Sequence, residues 1–202
     1  MFPAARLHHQ INRRLRLLTA GGLAAVAMAG VAAEPSEALA AGCANANARP
    51  AAASSATIAR ATACVMNAER RRHGLAALSL NQRLSKAARA HSRDMVERDY
   101  FAHTAPGGGT FVARIRRSGY LRATRRWRVG ENIAWGVSAS NSPRSIVQGW
   151  MDSPPHRKEI LTRSYRDVGL GVAAGVPSST GGQGATYTAD FGVKRLRGHG
   201  HD

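Results

Sequence analysis

The chain has 202 residues, room for one domain behind a leader, and carries a net charge of +17. Only Lys86, Lys158 and Lys194 of its 29 basic residues are lysines; such a surface is drawn to anionic partners such as wall polymers, phospholipid headgroups or acidic glycans, or is simply a solvated arginine-rich shell. Nucleic acid is excluded as a partner, because no basic-plus-aromatic nucleic-acid motif is present and the start of the chain reads as an export signal.

Arg6, Arg13, Arg14 and Arg16 form a basic head in front of the apolar run LLTAGGLAAVAMAGVAA, and Ala38-Leu39-Ala40 fits an A-x-A cleavage pattern. Residues 1–40 therefore read as a secretory signal peptide, removed on export, which leaves no stable membrane insertion. Val31-Ala32-Ala33 is a second possible cut, and an uncleaved anchor is the alternative. The expected location is secreted, extracellular or cell-wall associated. Residues 41–56 are Ala, Asn, Ser and Pro and read as a flexible tail. Cys43 and Cys64 are the two cysteines. In an oxidising compartment an even pair reads as one disulfide; the alternative is two free thiols, with Cys64 packed as a small hydrophobe.

The folded domain is expected over residues 57–195. Ile58, Ala61, Val65 and Ala68 share one face of a helix from Thr57 to Arg72, stopped at Gly74. Leu84, Ala88, His91 and Met95 form the stripe of a second helix, from Gln82 to Arg98. His91 on that stripe reads as a core histidine with a hydrogen-bonded ring. A glycine-rich loop follows, from Tyr100 to Gly109; Thr110 can then cap a short helix to Arg117. Ser142 with Pro143 opens a helix to about Met151, and Ser153 before Pro154-Pro155 opens another to Leu161. Val168 to Ala174 and Ala185 to Phe191 alternate as two strands of an antiparallel hairpin, which makes the class α+β. Residues 196–202 read as a tail whose His199 and His201 form a weak metal-scavenging pattern. His73 should meet the last carbonyls of the first helix, Asn67 and Asn132 should bond nearby backbone, and Arg70 should anchor a carboxylate or a helix end. The tryptophans read mostly as core, with one able to line a cleft. The run Arg125-Arg126-Trp127-Arg128 reads as a solvated loop or a contact for an anionic ligand.

The segments "LSKAARAHSRDM", "YFAHTAP", "RIRRSGY", "GENIAWG", "VQGWMDSPPHRKEIL", "VGLGVA" and "YTADFG", in this order over about residues 62–193, resemble the CAP superfamily of cysteine-rich secretory proteins, antigen 5 and pathogenesis-related 1 proteins, in its bacterial secreted SCP-like branch. The resemblance implies an α-β-α sandwich with a small antiparallel sheet between helices and a central cleft. It places His103, Glu131 and His156 in that cleft. The family's second acid falls near Asp152 or Ser153, where the match is imperfect.

Two imidazoles and a carboxylate could hold a divalent metal such as zinc. The same three could form a metal-free hydrogen-bonded brace, or serve catalysis. The sequence has no H-E-x-x-H helix and no G-x-S-x-G elbow. The expectation is a monomeric secreted module that binds a lipid, a small amphipathic ligand or an anionic cell-envelope component. A metal-dependent extracellular hydrolase or peptidase using His103, Glu131 and His156 is the alternative.

Overall fold

The computed structural model describes residues 42–177 and 183–196; the leader and the two tail histidines lie outside them. Helices run over Ser55–Arg72 (α1), Gln82–Glu97 (α2), Phe111–Arg117 (α3), Pro143–Asp152 (α4) and Pro154–Ile160 (α5). Strands run over Ser79–Leu80 (β1), Thr124–Val137 (β2), Asp167–Ala174 (β3) and Gly184–Leu196 (β4). The sheet order is β1-β3-β4-β2. This is the expected α+β sandwich with two corrections. The sheet is mixed, because β1 joins β3 in parallel. It also contains β2, a strand that the sequence pattern does not signal. That strand pairs antiparallel with β4 apart from an irregularity at Arg125, with Glu131 opposite Asp190 and Trp127 opposite Lys194.

Strand alternation sorts the sheet into two unlike faces. Val168, Leu170 and Val172 of β3 and Tyr187, Ala189 and Phe191 of β4 form an apolar face that packs with α1, α4 and α5 around the buried Trp150. The opposite face is glycine and polar: Asp167, Gly169 and Gly171 on β3, and Thr188, Asp190 and Gly192 on β4. Helix α2 lies directly on it. A Cβ at Gly169 would stand 2.1 Å from the Leu84 backbone carbon, and one at Gly171 would stand 2.2 Å from that of Ala88. Two missing side chains thus let helix and strand backbones touch. Ser92 of α2 fixes the register with its hydroxyl, which donates to the Gly171 carbonyl (3.2 Å) and pairs with the Thr188 hydroxyl (2.9 Å). The smaller cluster of Leu84, Ala87, Ile115 and Tyr120 joins α2 to α3.

The helix starts follow the sequence reading, with one exception. Thr110 accepts from the Ala113 amide and Ser142 from the Ser145 amide. Ser153 stands at the cap position of α5 but its side chain caps nothing. Pro154 and Pro155 supply no N–H, so the first turn has few donors to satisfy. Arg70 is fully buried and donates to the carbonyls of Ala76, Ile160 and Thr162, so it ties α1 to the end of α5. Asn67 exchanges two hydrogen bonds with the Leu78 main chain, and His73 Nδ1 lies 2.9 Å from the Glu69 carbonyl.

Cys43 and Cys64 form the disulfide. In the chain-entropy account a loop of this size stabilises the fold by about 3 kcal/mol. It also anchors part of the segment that reads as a tail: Cys43 and Ala46 are buried in the main core, and the Ala46 carbonyl accepts from the Arg144 amide. Among the described residues no helix is long and apolar enough to cross a membrane.

Candidate functional site

The site forms on the polar face of the sheet, at the β2 edge. Glu131 is buried in the middle of β2, and its side chain points toward α2 and α3. An isolated carboxylate would be costly there; this one has donors on both oxygens. The His103 Nδ1–H donates to Oε1 at 2.8 Å, and Arg114 Nη2 donates to Oε2 at 2.7 Å. His91 Nε2 lies 3.9 Å from Oε1 and is 3.0 Å from the Ala102 carbonyl. Burial alone would raise the Glu131 carboxyl, but the His103 hydrogen bond, the Arg114 charge and the His91 ring hold it below the usual range.

Each partner comes from a different element. Arg114 is on α3, almost wholly buried, and donates also to the carbonyls of Gly109 (2.8 Å) and His103 (2.9 Å). It thereby staples the loop between α2 and α3 onto Glu131. The loop closes on itself through the Ala105–Gly109 bridge, where Gly107 and Gly108 take positive φ (98° and 89°) that other residues rarely adopt. The His103 imidazole, held from one side, remains 48% exposed on the other. His91 is a fully buried core histidine, as its place on the α2 stripe predicts; burial pushes its pKa down against the opposing pull of the Glu131 charge.

His156 reaches the site from the other side of the sheet. Glu131 and Asn132 are consecutive in β2 and point to opposite faces. Glu131 holds His103 on one, and Asn132 donates to the His156 carbonyl at 3.0 Å on the other. β2 is an edge strand of the sheet. The half-buried His156 imidazole has its pKa lowered by burial and then by the nearby His103. His103 and Arg114 therefore engage Glu131 directly, and the next residue of the strand, Asn132, ties down the His156 main chain. Among the described residues no group of three or more His, Cys, Asp or Glu is arranged to hold a metal ion.

Asp152, suggested as the second acid, is exposed at the end of α4 and accepts from Gln148. The acid beside Glu131 is Asp190, its cross-strand partner. Asp190 is fully buried, and neither of its oxygens meets a hydrogen-bond donor among the described residues. Burial, then the Glu131 charge, push its carboxyl well above the usual range; the protonated acid is the favoured form, with the Glu131 carboxylate beside it as acceptor. Sequence reasoning missed Asp190, His91 and Arg114 as members of the cluster. No local motif marks them, since cross-strand register and helix docking bring them together.

Asp190 carries a pH prediction. An acid whose folded pKa is raised binds its proton more tightly when folded, so the stability it contributes is present below the unfolded value and lost as pH rises through the folded one. Asp190→Asn removes that loss. Urea unfolding of both proteins from about pH 4 to about pH 8 should show the difference in stability moving in favour of the variant as pH rises; a pH-independent difference would mean that Asp190 does not titrate this way.

Two large aromatics on the segments that carry His103 and Glu131 are exposed. Phe101, two residues before His103, is 45% exposed; Trp135, on the Glu131 side of β2, is 47% exposed. Trp150 is the core tryptophan, its Nε1–H donating to the Ile133 carbonyl. Trp127 and Trp135 are both exposed, contrary to the expectation that tryptophans would be mostly core.

Comparison with known proteins gives the following. Residues 65–191 match the cysteine-rich secretory protein family, CAP. The chain is 39% identical over 105 residues to the uncharacterized protein YkwD of Bacillus subtilis, a stretch that is 52% of this chain and 38% of that one. It is 36% identical over 106 residues to the uncharacterized membrane protein YlbC of the same organism, covering 52% of this chain and 29% of that one. The matched stretch thus spans well under half of these relatives. Among solved structures, an extracellular protein containing an SCP domain from Bacillus anthracis superposes with a TM-score of 0.53 at 31% identity, covering 64% of this chain and 38% of that chain. An outer surface protein of Borrelia burgdorferi superposes with a TM-score of 0.52 at 20% identity, over 66% of this chain and 90% of that one, a likeness of fold.

Proposed function

Because the chain belongs to the cysteine-rich secretory protein (CAP) family and is of the bacterial SCP type, we propose that it is an exported module that binds a lipid, a small amphipathic ligand or a cell-envelope component at the cleft around His103. The observation that carries this reading is a fixed but open imidazole on segments that also expose aromatic side chains. His103 is locked through Nδ1 to Glu131, half-exposed on its other side, with Phe101 before it and Trp135 on the Glu131 face. A ligand with a polar head and an apolar body matches that pairing. Both oxygens of Glu131 are already bonded, so this carboxylate positions His103 instead of waiting as a free base.

The test is retention of total membrane lipid extract and of purified peptidoglycan by the folded protein at physiological salt. One of the two should bind, and His103→Ala should weaken it by about tenfold, the loss of one hydrogen bond to a polar head. Retention of neither, or retention that ignores His103, removes the proposal.

The same hydrogen bond favours a second reading. A metal at this cleft would be held by His103 through Nε2 and by His156, with Glu131 behind His103 as its acceptor and not as a ligand. Such an ion would supply Lewis-acid chemistry for an extracellular hydrolase. Metal content after dialysis, compared between wild type and His156→Ala, separates the two readings.

A further inference from the structure

Away from the cleft, the first half of β2 carries a surface that the proposed function does not use. Trp127 is 41% exposed and stands between two shallow hollows. One, of about 730 Å³, is walled by Arg83, Arg116, Arg117 and Arg122. The other, of about 690 Å³, is walled by Arg126, Arg128, Arg166 and Arg195. No Asp or Glu lines either hollow. Among the described residues, the salt bridges from arginine to a carboxylate at Arg72, Arg98 and Arg114 involve none of these eight guanidinium groups.

The arrangement works against folding. Arg126 lies directly opposite Arg195 in the β2–β4 register, and like charges across a ladder are destabilising. The Arg116 guanidinium lies 5.5 Å from the Trp127 ring centroid, which keeps the indole at the surface among cations. A solvated shell would disperse these charges and bury the indole.

We propose that this face docks the protein on anionic phospholipid bilayers. Headgroup phosphates would enter the two arginine-walled hollows, and the Trp127 indole would sit at the boundary between headgroups and acyl chains. The spread of the charges selects this occupant. Eight exposed guanidinium groups divided between two hollows on either side of an indole cannot converge on one small anion, whereas a bilayer offers many separate headgroups. A soluble phosphodiester polymer could meet the arginines but gives the indole no apolar layer. The inference rests on neither His103 nor Glu131, so failure of the cleft reading leaves it standing.

The experiment is vesicle co-sedimentation of the full chain at physiological salt. The vesicles are phosphatidylglycerol with phosphatidylcholine, then phosphatidylcholine alone; soluble polyphosphate is the competitor. Arg116→Ala, Arg117→Ala and Arg122→Ala are combined in one variant. A charge-matched control combines Arg60→Ala, Arg89→Ala and Arg93→Ala, three exposed arginines elsewhere. The first variant should lose at least about tenfold in affinity for the anionic vesicles and the control clearly less, because each cation acts within a Debye length of the membrane. Wild-type emission should shift to the blue on anionic vesicles and Trp127→Phe should abolish the shift; Trp127 is the first of the three tryptophans, so the leader contributes none. Equal losses in the two variants would reduce the effect to net charge and overturn the proposal. Vesicle binding that survives the first variant would overturn it too, as would tight polyphosphate binding with no blue shift on vesicles.

Discussion

Arg114→Met is expected to destabilise the protein by about 3–5 kcal/mol, the usual cost of stripping one partner from a buried ion pair. Arg114 is the permanent cation on the buried Glu131 carboxylate, and methionine keeps most of its packing while leaving that charge without a permanent counter-ion. It also removes the bonds to the carbonyls of Gly109 and His103, so the loop that carries His103 should loosen. Urea unfolding measures the first effect, and amide exchange across residues 100–110 the second. The same substitution in a Glu131→Gln background should cost much less, because no buried charge is then left unpaired. A loss below about 1 kcal/mol in the wild-type background would place Glu131 in a wetter setting than its burial indicates.

Gly171→Ala is expected to cost about 3 kcal/mol or more, the upper end for overpacking, since the obstacle is backbone and not a side chain that can swing away. The new methyl would stand 2.2 Å from the Ala88 carbon, 2.3 Å from its oxygen and 2.3 Å from the Arg89 nitrogen. Helix α2 would have to lift from β3, which breaks the Ser92 bond to the Gly171 carbonyl and tilts His91 away from Glu131. Gly149→Ala makes the matched control. It lies in α4 with nothing within 4 Å of the added carbon, so alanine there should stabilise by about 0.5–1 kcal/mol. If urea midpoints place Gly171→Ala within about 1 kcal/mol of wild type, the close helix–strand contact is not what seats α2.

Periodicity made the helices legible. The α2 stripe of Leu84, Ala88, His91 and Met95 is wholly buried, as read. Turn and cap residues fixed most boundaries within two residues. Strand β2 was illegible for a physical reason. Its first half is exposed, and residues 130–133 are buried on both faces, so no period of two survives. Arginine, glycine, glutamate and asparagine there also argue locally against a strand. Pairing along the whole of β4 overrides that preference. Missing β2 meant that Arg125 to Arg128 read as loop, although these residues line an ordered edge beside Trp127.

The amino-acid order by itself determined the family and the helices, because each is written in local spacing or in motifs that stay together in the chain. Which acid stands beside Glu131, which cation neutralises it, and which arginines collect around Trp127 were decided only by the tertiary structure. Asp190 reaches Glu131 through strand register, Arg114 through a helix docked over the sheet, and the arginine face through four separate segments meeting at one edge. Electrostatic neighbourhoods depend on distance in space, and positions 131 and 190 become adjacent only once β2 and β4 have paired.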